Sequence, residues 1–289
     1  MDLTKLYCDI DDFIKDYLQN NSYLIESKIK RSKRTTPKMS LAEMITIVCW
    51  YHSSGFRTFK GFYHFVKIHH RKAFPQLISY NRFIEWMPYL LLPMSQFLKT
   101  KMGKCTGLSF IDSTSLTVCR NRRINRNKVF KGTATRGKSS MGWFFGFKLH
   151  LVINDKGEIL NFSLSKGKTH DKVPVKKLCQ NLKGKLYGDK GYISKKLFEE
   201  LYQGGLELIT NIRSNMKNKL LHLQDKINLR KRFIIETIND LLKNDANIDH
   251  SRHRSPTNFL VNVISGLIFY TYRENKPAIK SLNTLPGLV

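Results

Sequence analysis

The sequence predicts an α/β chain of the α+β mixed-sheet type: a small all-helical region over 1–100, then a mixed sheet with helices on its faces over 101–289. Three observations predict it. Apolar residues recur at helical spacing through the first hundred positions, behind a capping signal. From Gly107 the pattern changes to short apolar runs and a strict period of two. Beyond residue 171 helical and strand-like segments alternate, which places helices against a sheet. With 289 residues and 41% hydrophobic content the chain can bury a substantial core.

The first region opens on MDLTKLYCDIDDFIKDYL, acidic and amphipathic, which matches neither a secretion signal nor a transit peptide. Ser40-Leu-Ala-Glu43 forms a capping box ahead of the apolar helix LAEMITIVCWYH. Gly55 and Gly61 punctuate the next segment, and RFIEWMPYLLLPMSQFLKT supplies a further helix, expected to break near Pro93. GLSFIDS is then a short strand ending in polar residues. WFFGFKLHLVIN alternates, with Phe145, Phe147, Leu149, Leu151 and Ile153 on one face and Lys148 and His150 on the other. Asp155-Lys-Gly157 turns the chain into EILNFSLSKG. Asp171 is the expected N-cap of a helix over DKVPVKKLCQNL, with catalysis by His170 and Asp171 the alternative. GKLYGDKG, SKKLFEELYQ and LELITNI follow as strand, helix and strand, and RKRFIIETINDLLK and FLVNVISGLIFYTY close the chain as helices.

Charge narrows the function classes. The chain carries 50 Lys and Arg against 22 Asp and Glu, a formal net charge of +28, which favours a polyanionic partner. Residues 1–100 hold 15 basic and 8 acidic residues, so most of the excess lies beyond residue 100. No polybasic amphipathic helix points to a membrane surface. The stretch 259–272 is too short to span a bilayer. The five cysteines, at 8, 49, 105, 119 and 179, are scattered without a CxxC pair, which predicts reduced thiols, a cytoplasmic protein and no cysteine zinc site.

Against that positive background three acids stand at the ends or edges of apolar runs: Asp112 in LSFIDSTS, Asp189 in GKLYGDKGY and Glu236 in RKRFIIETINDLLK. Singly, each has an ordinary reading as a turn former or half of an i,i+4 pair. At about 100° per residue, Arg232, Glu236, Asn239, Asp240 and Lys243 share one stripe, and Ile234, Ile235, Ile238, Leu241 and Leu242 the opposite side. Three carboxylates suit hard divalent ions: in-line attack on a phosphodiester is helped by two of them, with Arg232 and Lys243 holding phosphate. The segment 120–138 holds eight Lys and Arg and no acid. Its cations Arg120, Arg122, Arg123, Arg126, Lys128, Lys131, Arg136 and Lys138 are expected on the DNA backbone, with Lys148 and His150 beside them. A second cluster comprises Arg213, Lys217, Lys219, Lys226, Arg230 and Lys231. Gly132 to Ser139 matches the phosphate-loop pattern G-x-x-x-x-G-K-[ST] letter for letter, but lacks the buried strand before it and the helix after it that a nucleotide site requires. His69, His70, His250 and His253 have no metal-ligand partners at suitable spacing.

FIDSTSL, YGDKGYISKKL and RKRFIIETINDLLKN…HSRHRS together resemble the catalytic domain of bacterial insertion-sequence transposases of the DDE class, most closely the family named after insertion sequence 982. The resemblance covers roughly 105–275 and the N-terminal part more loosely. The intervals between the acids, 77 and 47 residues, resemble members without a large insertion before the glutamate. The resemblance implies a ribonuclease-H-like catalytic domain, with Asp112, Asp189 and Glu236 as catalytic ligands of two Mg²⁺ ions, for which Mn²⁺ substitutes. Arg232, Glu236 and Lys243 fit a signature whose tyrosine position is Leu229 here, a departure that removes the expected aromatic contact.

The implied reaction is cleavage at transposon ends by water, then attack of the freed 3′-hydroxyl on target DNA. The implied partners are terminal inverted repeats and target DNA, read by the N-terminal helices of a homodimer, with no membrane and a place on the bacterial nucleoid. A structure-specific nuclease of the same fold, or a non-catalytic DNA-binding copy, are the alternatives.

Overall fold

The computed structural model describes residues 2–31, 38–212, 216, 220–249 and 253–279. They form two compact units. One comprises the described residues within 1–101, 242–248 and 253–274, the other those within 102–241, 249–252 and 275–289. Thus the sequence division at residue 100 describes where the helical unit is first left, but the chain returns to it. Segments 242–248 and 253–274 pack with the N-terminal helices because the last helix is apolar nearly all round and needs partners on every side.

The helical unit contains α1 (Leu3–Arg31), α2 (Leu41–Tyr51), α3 (Phe59–His69), α4 (Tyr80–Thr100) and, from the C-terminal part, α9 (Pro256–Thr271). The capping box is present: Ser40 Oγ accepts from the Glu43 amide at 3.1 Å, and Glu43 accepts from the Ser40 amide at 2.7 Å. Rings of Tyr51, Phe59, Phe62, Tyr63 and Phe83 pack edge to face and tilted around the α2–α3–α4 core. The expected break near Pro93 does not occur; α4 runs unbroken through both Pro88 and Pro93. Each proline removes one backbone bond, and burial of Phe83, Met87, Leu90, Met94, Phe97 and Leu98 outweighs that loss. His52 is buried, donating to the Ala246 carbonyl, with Nε2 2.6 Å from Ser265 Oγ.

The second unit is built on six strands: β1 (Leu108–Cys119), β2 (Thr135–Ser139), β3 (Gly142–Asn154), β4 (Ile159–Lys166), β5 (Gly184–Gly188) and β6 (Leu206–Thr210). Its order is β2-β3-β1-β5-β6, with β4 also on β3. The long β3 pairs antiparallel with β1 along one side, and with β2 and then β4 along the other. β1, β5 and β6 run parallel. This mixed sheet, with helices α5 (Val175–Leu178), α6 (Lys195–Gln203), α7 (Leu223–Lys231) and α8 (Phe233–Asp240), is the expected ribonuclease-H-like arrangement.

Each face of the sheet is covered. Ile111 and Val152 point into a core with Val175, Leu178, Leu186, Leu197 and Leu201, the side of α5 and α6. Phe110 and Tyr187 stack on the other side, with centroids 5.4 Å apart. There Asp225 of α7 takes Lys185 Nζ at 2.8 and 3.0 Å and Tyr187 OH at 2.8 Å. These bonds outweigh the burial that alone would raise the Asp225 carboxyl, and hold it below the usual range. A buried acid thereby clamps α7 onto β5, the strand that leads into Asp189.

Candidate active site

Asp112 is the fifth residue of β1, and the strand's alternation sets its direction. Ile111 points into the α5–α6 core, so Asp112 points to the opposite face. There Asn239 Nδ2 of α8 donates to Asp112 Oδ2 at 3.0 Å, and Arg232 Nη1 lies 3.7 Å from Asp112 Oδ1. Burial, the largest effect, pushes the Asp112 carboxyl up to about 6. Arg232 and the Ser113 amide pull it down, and the charges of Asp189 and Glu236 push it up again. Both other acids are therefore within electrostatic reach of Asp112.

The position of Asp189 follows from strand register. β1 and β5 are parallel, with Leu108, Ser109 and Phe110 opposite Lys185, Leu186 and Tyr187. Every pair differs by 77, the interval between Asp112 and Asp189. Asp112 and Asp189 each lie two residues beyond the last pair of that ladder, at its same end. Asp189 lies just past the end of β5 and caps the short 3₁₀ turn Lys190–Tyr192, accepting from the Gly191 amide at 2.9 Å. One carboxylate oxygen is thus held by backbone.

Glu236 comes from the helical segment. The chain breaks at Arg232, which ends α7 and begins α8, so the segment 230–243 is not the continuous helix its periodicity suggests. Ile234, Ile235 and Ile238 are buried, as is Asn239, while Glu236 is exposed. Arg232 Nη2 lies 2.5 Å from Glu236 Oε1. The guanidinium therefore bridges Glu236 and Asp112, with its side chain only 18% exposed. Its Nη1 and the Asn239 Oδ1 are buried without a hydrogen-bond partner. Leu229, at the signature's tyrosine position, is buried and offers no ring to a partner. Lys243 falls on the π-helical turn Leu241–Asp245, and the fixed 100° step that put it on the Glu236 stripe does not hold through such a turn.

The donor set fits a hard divalent cation. All three side chains are carboxylates, the oxygen donors that a hard divalent ion takes, and Arg232 is ion-paired with two of them. Among the described residues, no three His, Cys, Asp or Glu side chains are gathered closely enough to hold an ion. Arg232 stands where a cation shared by Asp112 and Glu236 would be attracted.

The basic segment is split by the structure. Arg120, Arg122, Arg123, Arg126, Lys128, Lys131, Arg136 and Lys138 are all exposed, on the 3₁₀ turn Asn121–Arg126, the loop after it and edge strand β2. Lys148 and His150 do not join them. Lys148 Nζ pairs with Asp171 at 2.9 Å and its side chain is 14% exposed. His150 is buried with Nε2 2.7 Å from Ser165 Oγ, and burial lowers its imidazole to about 4. Their side of β3 lies under the α5–α6 face, not in solvent. Asp171 is not the helix cap either: α5 begins at Val175 behind Pro174, and Asp171 accepts from Ser113 Oγ at 2.8 Å as well as from Lys148. Asn239, tied directly to Asp112, is a site neighbour that no sequence motif marked, whereas Asp171 is tied to Ser113 on the opposite face of β1. Gly132–Ser139 forms no phosphate loop, since residues 135–139 are strand β2. Gly137 is required there because a Cβ would run into the Gly167 carbonyl and the Phe144 ring. Lys226 and Arg230 are exposed on α7, whereas Arg213, Lys217, Lys219 and His250 lie outside the described residues.

The family model described as "Transposase DDE domain" matches residues 102–256. No curated protein matches the chain.

Proposed function

The chain belongs to the transposase DDE domain family, and from that premise we propose that it is a DNA transposase that cuts transposon ends and joins them to target DNA. Within that family the motifs and the 77- and 47-residue intervals favour the insertion sequence 982 group. The observation that carries the proposal is the convergence on Asp112: Asp189 and Glu236 raise its carboxyl, and Arg232 spans it and Glu236. In a chain this basic, acids that act on one another electrostatically are best explained by a cation working among them.

Asp112, Asp189 and Glu236 are the residues that would hold divalent metal, two Mg²⁺ or Mn²⁺ ions. Metal bound there would supply a more nucleophilic oxygen and charge stabilisation for in-line phosphoryl displacement. The chain's own groups do the rest. Asn239 fixes one Asp112 oxygen, and the Gly191 amide fixes one Asp189 oxygen. Arg232, released from the carboxylates, is placed to hold a phosphate oxygen by charge-assisted bonds. The exposed cations of 120–138 neutralise the DNA backbone without reading sequence. The N-terminal helices, within 1–100, are proposed to recognise terminal inverted repeats in a homodimer. Among the described residues no helix is long and apolar enough to cross a membrane, and a protein acting on the nucleoid accords with that.

The test supplies pre-cut transposon ends, Mg²⁺ and a target plasmid. Joined product is expected; cleavage without joining assigns the fold to a nuclease instead.

A further inference from the structure

The β2–β3 hairpin carries an exposed aromatic that the three-carboxylate site does not use. Met141 at its tip is 95% exposed and Trp143 is 63% exposed, whereas Phe144 and Phe145 beside it are buried. Leaving an indole in water forfeits stabilisation that burial would give, and an exposed apolar patch marks a contact surface. The hairpin is not loose. Lys138 pairs with Trp143 across the strands, and its ammonium lies 6.0 Å from the ring centroid. Asn121 Nδ2 donates to the Trp143 carbonyl at 2.7 Å, which ties the hairpin to the 3₁₀ turn of basic residues. Ser139 Oγ donates to the Gly142 carbonyl at 3.2 Å and closes the turn.

The surroundings decide the partner. From Ser113 to Asn154 the chain contains no Asp or Glu, and Arg136 and Lys138 flank the ring as exposed cations. A rigid aromatic among cations is how proteins hold single-stranded nucleic acid, with the base on the ring and the phosphates on the charges. Trp143 stands eight residues before Leu151, the strand partner of Asp112. At about 3.4 Å per residue this is roughly 27 Å, so the ring lies well away from Asp112.

We infer that Trp143 stacks on an unpaired base of the DNA, making the β2–β3 hairpin tip a subsite for a locally opened duplex. This rests on the DNA reading above, deepens it, and can fail separately. Stacking of one base supplies about 1–3 kcal/mol, which exceeds the cost of opening only where the duplex is already weak, so the subsite favours frayed, bulged or nicked DNA.

The test measures binding of the full chain in EDTA, by fluorescence anisotropy, to one sequence presented as a paired duplex and as a duplex with three unpaired nucleotides. Stacking of one base predicts about tenfold tighter binding to the opened form. Trp143→Ala should bring that ratio down to about one, and Trp143→Phe should keep part of it. A 2-aminopurine in the unpaired stretch should be quenched by the wild type and not by Trp143→Ala. Thermal melts confirm that both variants fold. An unchanged ratio in Trp143→Ala, or equal wild-type affinity for the two forms, overturns the subsite alone. Trp143-dependent binding to anionic vesicles without DNA preference overturns it in favour of a lipid surface. No binding to either DNA overturns the DNA reading as well.

Discussion

Asp112 is held against its own ionisation, and its site is correspondingly costly to the fold. Its carboxyl moves from an ordinary 3.8 up to about 6 chiefly through burial, so the folded chain binds this proton more tightly than the unfolded one. Its contribution is greatest below 3.8 and is lost as pH rises through 6. Thermal melts in EDTA at pH 8 should therefore show Asp112→Asn more stable than wild type by up to about 3 kcal/mol, with the difference closing near pH 4. A less stable Asp112→Asn at pH 8 contradicts that assignment. His150 works in the opposite direction. Burial lowers its imidazole to about 4, so its contribution is present above 6.5 and lost as pH falls toward 4. His150→Asn should flatten that acid limb of the melting curve. At this scale the sequence singled out three acids but not their neighbours. Alternation put His150 opposite the apolar face of its strand, but periodicity cannot say that helices cover both faces. Asp171 matched helix-start statistics, and its real partners, Ser113 and Lys148, are 58 and 23 residues away.

Among the elements, strand and helix identities were legible wherever a local pattern sets them: the capping box of α2, the alternation of β3, the turn at Gly157. What local pattern could not show is register. The 77-residue interval between Asp112 and Asp189 was visible as a number, but its meaning depends on β1 and β5 pairing in parallel. The break at Arg232 and the π-helical turn after α8 were hidden for a similar reason. They are set by what Arg232 and the buried isoleucines meet in the fold, and propensity across RKRFIIETINDLLK does not show it. The Asp225 clamp gives this scale its prediction. Asp225→Ala leaves Lys185 and Tyr187 without their acceptor and should cost about 1–3 kcal/mol, chiefly through the buried Tyr187 hydroxyl, since the Lys185 ammonium is partly solvated. Because α7 steadies β5, and β5 delivers Asp189, DNA cleavage should fall even at temperatures where the variant remains folded. Circular dichroism melts alongside cleavage rates would check both parts; wild-type cleavage in a destabilised Asp225→Ala would show that the clamp does not position Asp189.

For the molecule as a whole, the +28 charge is the field in which these three acids work, and the described sheet unit sorts it. Eight cations of 120–138 face solvent, while Lys148 is spent on Asp171. If those exposed cations sit on DNA phosphates, affinity must fall steeply with salt. Replacing Arg120, Arg122 and Arg123 by Ala should lower the log–log slope by about one for each phosphate no longer neutralised; an unchanged slope places DNA elsewhere on the surface. The return of α9 to the helical unit was the least legible feature at this scale, since nothing in an apolar helix names its partners. The central claim, that Asp112, Asp189 and Glu236 make one metal-dependent phosphodiester site, is tested most directly by Mg²⁺-dependent cleavage of a transposon-end duplex. Asp112→Ala, Asp189→Ala and Glu236→Ala are each compared with wild type, with end binding measured in parallel. The account predicts that each variant binds the end and none cleaves it; cleavage retained by all three would contradict it.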